Sequence, residues 1–337
     1  MKKSNIRISV TSVAVELLML GLCLPAVSVY AAEAEASSDT TRFTVPNATI
    51  KYAERDTCDL YLDIYLPEEG PATSLEGRTK PTVLWIFGGG FFEGQRNDGI
   101  TEWFRLLQKD GYSVVAIDYR LGLKGVSISP GINPKFIKAV AKAIDMGVED
   151  LYSATLWIND NGDCYGLDAN NIVLAGASAG AIIALQAEFD ITNGKPLSSV
   201  LPEDFNYKGI MSFSGAAYCF DWNLRFAKEP CPIAFFHGTD DSIVPYRKIS
   251  FLQVSMKGSD ALVKTMKKSG YNNYNIYRFP DHGHEIAVNM GISYPEEMRF
   301  LEENVVRGQT RTIDAFVYDP VIPTPKWENN GFKQLYE

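Results

Sequence analysis

The chain has 337 residues, 46% hydrophobic and 22% charged, a balance that excludes a largely disordered protein and suits one large α/β domain. Its formal net charge of -9 excludes a general electrostatic attraction for nucleic acid or anionic lipid. There are three histidines, His237, His282 and His284. A multi-histidine metal site would consume nearly all of them, so neither metal nor cofactor is expected.

At the start, Lys2, Lys3 and Arg7 precede an apolar run over 8–30, and Val29-Tyr30-Ala31 offers a small-residue cleavage pattern. Glu16 cuts the uninterrupted apolar stretch to 17–30, too short to span a bilayer comfortably. Residues 1–31 are therefore expected to be an export signal, cleaved or kept as an anchor. Residues 32–47 would be a flexible leader. The mature chain is expected to be secreted or held in the cell envelope, without stable membrane insertion.

Residues 48–53 and 58–66 alternate apolar and polar, which predicts a half-buried antiparallel hairpin. The apolar runs 82–87, 113–118, 171–175, 209–213, 232–236 and 274–279 predict buried strands. Between them the pattern predicts helices over 100–110, from Asn133-Pro134 to about 159 with a break at Gly147, over 179–189, over 246–269 and over 296–305. Strands alternating with helices indicate a mostly parallel sheet covered on both faces, with the hairpin at one edge. The domain is placed at 48–308, followed by an irregular tail, 309–337, packed on it.

Gly176-Ala177-Ser178-Ala179-Gly180 follows a strand and opens an apolar helix, the setting of a nucleophile elbow. A serine at the apex of a sharp turn needs small neighbours, and the helix N-terminus brings backbone N–H groups beside it. Trp85 to Phe92 ends a strand in Gly88-Gly89-Gly90, whose unshielded amides can face a developing alkoxide. Gly89 and Gly90 are assigned as oxyanion donors with Ala179. No Lys-Ser/Thr follows, which disfavours a phosphate cradle.

His237 to Pro245 follows another strand and carries Asp240 and Asp241; Asp281 to Glu285 follows the next and carries His282 and His284. The order Ser178, Asp241, His284 is that of a Ser-Asp-His triad. Asp240 competes with Asp241, and His282 with His284; His237 reads as structural. The four cysteines beyond Cys23 are Cys58, Cys164, Cys219 and Cys231, and closeness in sequence favours a Cys219–Cys231 disulfide.

Together WIFGGGFFEG (85–94), DYRLG (118–122), AGASAG (175–180), HGTDDSIVP (237–245), HGHE (282–285) and CDLYLDIYLP (58–67) resemble the α/β-hydrolase superfamily. More narrowly they resemble the type B-like carboxylesterases and feruloyl-esterase-like enzymes, over about residues 48–305. The resemblance implies an α/β-hydrolase fold, Ser178 as nucleophile, Asp241 as acid, His284 as base and Gly89, Gly90 and Ala179 as oxyanion donors. Many relatives carry His or Tyr at Phe87, which cannot hydrogen-bond here. The chain is much shorter than full type B carboxylesterases, which implies an open or lightly capped cleft.

The expected chemistry is acyl transfer to water, on short-chain or plant-polysaccharide (feruloyl or acetyl) esters, with Phe91, Phe92, Tyr218 and Trp222 as substrate contacts beside Tyr119. The alternatives are a serine peptidase of the same fold and a non-catalytic binding protein that retains it.

Overall fold

A computed structural model describes residues 44–70, 77–126, 134–219, 224–251 and 254–318. The expected signal segment, most of the leader, Trp222 and the chain beyond 318 lie outside the described residues.

Twelve described strands build two sheets. The large sheet contains β1 (Ala48–Glu54), β2 (Asp59–Tyr65), β3 (Thr82–Ile86), β4 (Ser113–Ile117), β5 (Ile172–Ala177), β6 (Gly209–Phe213), β8 (Ile233–Gly238), β11 (Tyr274–Phe279) and β12 (Thr312–Phe316). Their order is β1-β2-β4-β3-β5-β6-β8-β11-β12. β1–β2 and β2–β4 pair antiparallel, and from β4 onward every pairing is parallel. The short apolar runs predicted this, because a strand covered on both faces has no polar face to alternate. β3, β4 and β5 are buried at every position.

Parallel strands need crossovers, and helices supply them. They are α1 (Thr101–Lys109), α2 (Pro134–Asn161), α3 (Ala179–Thr192), α4 (Ser259–Ser269) and α5 (Tyr294–Phe300), the last running on into a π-helical turn, Leu301–Val306. α1 buries Trp103, Phe104 and Leu107 and leaves its charges outside. Trp103 packs 5.3 Å from Trp85 of β3 and 6.1 Å from Phe213 of β6, centroid to centroid. α3 is buried almost throughout, so its apolar character is not confined to one stripe. Among the described residues no helix is long and apolar enough to cross a membrane.

Four expectations are corrected. Gly147 does not break α2: a Cβ there would lie 2.5 Å from Ile183 Cδ1 of α3, so the glycine lets two helices approach. The stretch 246–269 is helical only from Ser259; before it β9 (Lys248–Phe251) and β10 (Val254–Gly258) form a hairpin. β10 also pairs with β7 (Ala216–Cys219) in the small antiparallel sheet β7-β10-β9, a non-local pairing that local periodicity does not register. The tail after Gln309 is not wholly irregular, because Thr312–Phe316 adds β12 to the sheet edge beside β11. Cys219 and Cys231 are not bonded to each other, and none of Cys58, Cys164, Cys219 and Cys231 is in a disulfide.

Candidate active site

The site forms where the carboxyl ends of parallel strands open onto one edge of the sheet. Strand order reverses between β3 and β5, since β4 lies on one side of β3 and β5 on the other. Such a switch point leaves a crevice between the loops that leave the two strands. The glycine loop leaves β3 and the nucleophile turn leaves β5. Ile86 and Gly176 are register partners, so the two loops start side by side.

Ser178 has φ 51° and ψ -116°, a left-handed geometry that an L residue keeps only where surrounding contacts enforce it. Its N–H donates to the Phe213 carbonyl at 2.9 Å, and its carbonyl accepts from Ile182 in the first turn of α3. The flanking glycines are demanded by contact. A Cβ on Gly180 would lie 2.0 Å from the Ile86 carbonyl oxygen, and one on Gly176 would lie 2.5 Å from the Gly180 backbone.

The structure brings Ser178, His284 and Asp241 into one series. His284 Nε2 is 2.8 Å from Ser178 Oγ, and its Nδ1 is 2.8 Å from Asp241 Oδ2. A carboxylate only accepts, so Nδ1 carries the proton and Nε2 accepts from the serine hydroxyl. Asp241 Oδ1 accepts the N–H groups of Ile243 and Val244, both at 2.9 Å. Burial would by itself raise the Asp241 carboxyl. The charge of His284 and hydrogen bonds from His237 and His284 outweigh it and hold the group well below the usual carboxylate range. Asp241 is thus an anion throughout the working pH range.

The competitors are elsewhere. Asp240 is exposed and stays beside the Thr239 hydroxyl. His282 is buried against Phe279, and its Nδ1 lies 2.8 Å from Glu285 Oε1. Glu285 also accepts the Gly283 N–H through both oxygens, which folds the loop that presents His284. The two loops are laced by backbone bonds, Asp240 N–H to the His282 carbonyl and Thr239 N–H to that of Phe279.

In the glycine loop, Gly89, Gly90 and Phe91 all have positive φ, at 94°, 59° and 69°. A Cβ on Gly89 would lie 2.1 Å from the Glu93 carbonyl oxygen, so the first of these positions admits only glycine. The Gly89 carbonyl closes the turn by accepting from Phe92 and Glu93. Gly90 and Ala179 line the cavity that contains Ser178, while Gly89 stands one residue back from it.

Sequence reasoning overlooked what supports this loop in place of a polar residue at 87. The Tyr119 hydroxyl, from the DYRLG segment, reaches the Phe87 carbonyl at 3.1 Å and the Gly88 carbonyl at 2.9 Å. The Tyr119 and Phe87 rings stack with centroids 4.3 Å apart. Leu123, the residue after that segment, donates its N–H to the Phe91 carbonyl. The clue was the proximity of β3 and β4, which brings both loops to the same edge.

The cavity is small, about 40 Å³, and Phe91, Phe136, Ile182, Ile243, Val244 and Met256 contribute to its wall. Among the described residues Ser178 supplies the one polar side chain in that lining. Two expected contacts do not line it. Phe92 is half-buried against the core, because the turn closed by Gly89 directs the chain away after Phe91. Tyr218 is drawn into the small sheet as the cross-strand partner of Met256.

Comparison with known proteins agrees with this architecture. The model described as "Carboxylesterase family" matches residues 29–188, and that described as "Phospholipase/Carboxylesterase" matches residues 137–290. A probable N-octanoylanthranilate hydrolase of Rhodococcus erythropolis is 33% identical over 104 residues, 30% of this chain and 20% of its own length. The fumonisin B1 esterase of Sphingopyxis macrogoltabida is 31% identical over 122 residues, 36% of this chain and 21% of its own. The matched segment thus spans about a fifth of these curated relatives. The solved structure of an esterase from Thermogutta terrifontis superposes with a TM-score of 0.52 at 17% identity, covering 78% of this chain and 93% of that one, a likeness of fold. Family matches over both halves of the sheet, with this fold beneath them, support an α/β-hydrolase of the carboxylesterase type.

Proposed function

We propose that the protein is an exported serine carboxylic-ester hydrolase that works through an acyl-enzyme and prefers short, uncharged acyl groups. The observation that carries the reading is the unbroken series Ser178–His284–Asp241 at an apolar cavity. In the proposed cycle Ser178 Oγ attacks the ester carbonyl carbon while His284 Nε2 takes its proton. The oxyanion that forms is held by the backbone N–H groups of Gly90 and Ala179, with Gly89 supporting the turn. Collapse expels the alcohol, which leaves with the proton from His284. Water, deprotonated by His284, then attacks the acyl-serine, and the acid departs as Ser178 regains its proton. Asp241 keeps the imidazole in the Nδ1–H tautomer and stabilises the imidazolium.

Acyl preference follows from volume and polarity. One water needs about 10–15 Å³ of such space, so about 40 Å³ accepts roughly three water-sized groups, the bulk of an acetyl or propionyl chain. Among the described residues the wall offers a charged acid no polar side chain apart from the serine hydroxyl. Acetylated sugars fit the reading on the acyl side. Export is supported by the charged-then-apolar start of the chain.

A series of p-nitrophenyl esters from acetyl to decanoyl, run beside feruloyl and acetyl sugar esters, tests the reading. Activity should peak at the shortest chains and fall with length. An inert protein that no fluorophosphonate labels would overturn the esterase reading and favour a binding role. Cleavage of a dipeptide amide with no ester activity would favour a peptidase.

A further inference from the structure

Among the buried titratable groups that the mechanism above does not use, His237 lies against the triad itself. His237 ends β8 with no solvent exposure, and it touches the same carboxylate as His284. Its Nε2 lies 3.2 Å from Asp241 Oδ2 and 3.2 Å from the Val244 carbonyl. Its Nδ1 lies 2.7 Å from Ser259 Oγ, at the first residue of α4. Both neighbours of Nε2 are acceptors, so that nitrogen carries a proton. The serine hydroxyl is then the donor that an unprotonated Nδ1 requires.

We infer that His237 is a positioning residue for the acid: a neutral, Nε2-protonated imidazole, fixed in that tautomer by Ser259, that shares Asp241 Oδ2 with His284. The activity readout of this inference rests on the esterase reading; its structural readout does not. A side chain three contacts removed from the nucleophile would thus set both the rotamer of Asp241 and the strength of its pull on His284.

The surroundings bear on the charge state. Asp241 and, through it, His284 face His237 from two loops. The Tyr246 ring lies 5.5 Å away, edge on. Arg278, the register partner of His237 on β11, bonds the Tyr246 hydroxyl, Asp260 of α4 and Asp314 of β12. The guanidinium charge is therefore taken up by two carboxylates. The anion next to His237 is Asp241, which already accepts N–H groups from Ile243, Val244 and His284. His237 brings a fourth N–H, which Oδ2 shares with the Val244 carbonyl, both at 3.2 Å.

Sharing has a functional consequence. Two N–H groups on Oδ2 disperse its negative charge and weaken its attraction for the His284 imidazolium. The base then stays unprotonated, and active, to lower pH. Deleting the His237 donor concentrates the charge and moves proton uptake by His284 upward.

The test compares His237→Leu, which removes the donor, with His237→Gln, whose amide N–H can replace Nε2–H. In His237→Leu the acidic limb of kcat/KM should move up by about half to one pH unit, with kcat down by roughly tenfold. In His237→Gln the limb should return to the wild-type position. A folded His237→Leu with an unmoved limb, or a His237→Gln that shifts like the leucine variant, would overturn the inference. Should the leucine variant not fold, nitrogen-15 NMR of the wild-type imidazoles decides: the inference requires His237 to be Nε2-protonated and neutral at pH 7, and an Nδ1-protonated or doubly protonated ring refutes it. The same NMR titration follows His284 without substrate. A shift there in a protein inert toward every ester would sink the esterase reading alone. Normal turnover with no shift would sink this one alone.

Discussion

Removing one oxygen atom tests whether Tyr119 holds the glycine loop. In Tyr119→Phe the ring can keep its stacking on Phe87, so the change is confined to two hydrogen bonds, at 3.1 Å and 2.9 Å. Tyr119 is buried, and burial pushes its phenol far above the ordinary tyrosine range, so the wild-type group remains a donor at every working pH. The Phe87 and Gly88 carbonyls would lose it, at a cost of about 1–3 kcal/mol in unfolding free energy for unsatisfied buried groups. The catalytic effect should be smaller than deletion of an oxyanion donor, which costs about 10²–10³-fold in kcat. The loop keeps its other ties, from Phe92 and Glu93 to the Gly89 carbonyl and from Leu123 to the Phe91 carbonyl. We therefore expect kcat on p-nitrophenyl acetate to fall roughly tenfold with KM nearly unchanged. Urea unfolding supplies the stability arm. Wild-type kcat together with wild-type stability would show that the hydroxyl pins nothing, and the proposed replacement for a polar residue at 87 would be wrong.

Three further outcomes follow from the geometry. His284→Ala should abolish turnover, whereas His282→Ala should cost about 1–3 kcal/mol of stability through the hydrogen bond it takes from the buried Glu285 carboxylate and reduce kcat far less; the reverse ranking, measured by steady-state kinetics, would move the base. Gly180→Ala should fail to fold or lose several kcal/mol, because its Cβ would lie 2.0 Å from the Ile86 carbonyl oxygen; a wild-type melting temperature would contradict the close approach. Glu297, buried on α5, accepts from Trp103 Nε1 at 2.7 Å and Ser293 Oγ at 2.8 Å, and burial pushes its carboxyl up to about 8. An acid raised in the folded state has ionised in the unfolded chain by pH 5–6, so stability falls as pH rises from about 4.5 to about 8. Glu297→Gln should flatten that slope in thermal unfolding at pH 5 and pH 8, and an unchanged slope would show that Glu297 is not its source.

What could be read from the sequence divides by the range of the interactions involved. The strands of the large sheet were legible because each is a short apolar run ended by glycine or a polar loop, and burial on both faces forces that composition. Ser178, Asp241 and His284 were legible because each follows such a strand, so the three side chains sit at positions the fold brings to one edge. β9 and β10 were not, since a short amphipathic strand whose pairing is supplied by β7 looks helical when read locally. Gly147 was taken for a breaker because the residue that excludes a side chain there, Ile183, belongs to another helix. For the same reason the support of the glycine loop is not legible locally: Tyr119 reads as an aromatic substrate contact, and only the adjacency of β3 and β4 turns it toward the Phe87 carbonyl. Phe91 lines the cavity, while Phe92 and Tyr218 show that nearness to a motif in sequence does not decide which face a ring takes.

The central claim is that Ser178 carries the acyl group. Brief exposure of the protein to p-nitrophenyl acetate at low pH, where water attack on the acyl-enzyme is slow, followed by acid quench, digestion and mass spectrometry, reads it directly. The account predicts a single acetyl group on the peptide containing Ser178, about one per molecule, lost in Ser178→Ala along with turnover while the chain remains folded. Turnover that survives in Ser178→Ala, or an acyl group found on another residue instead, would contradict it.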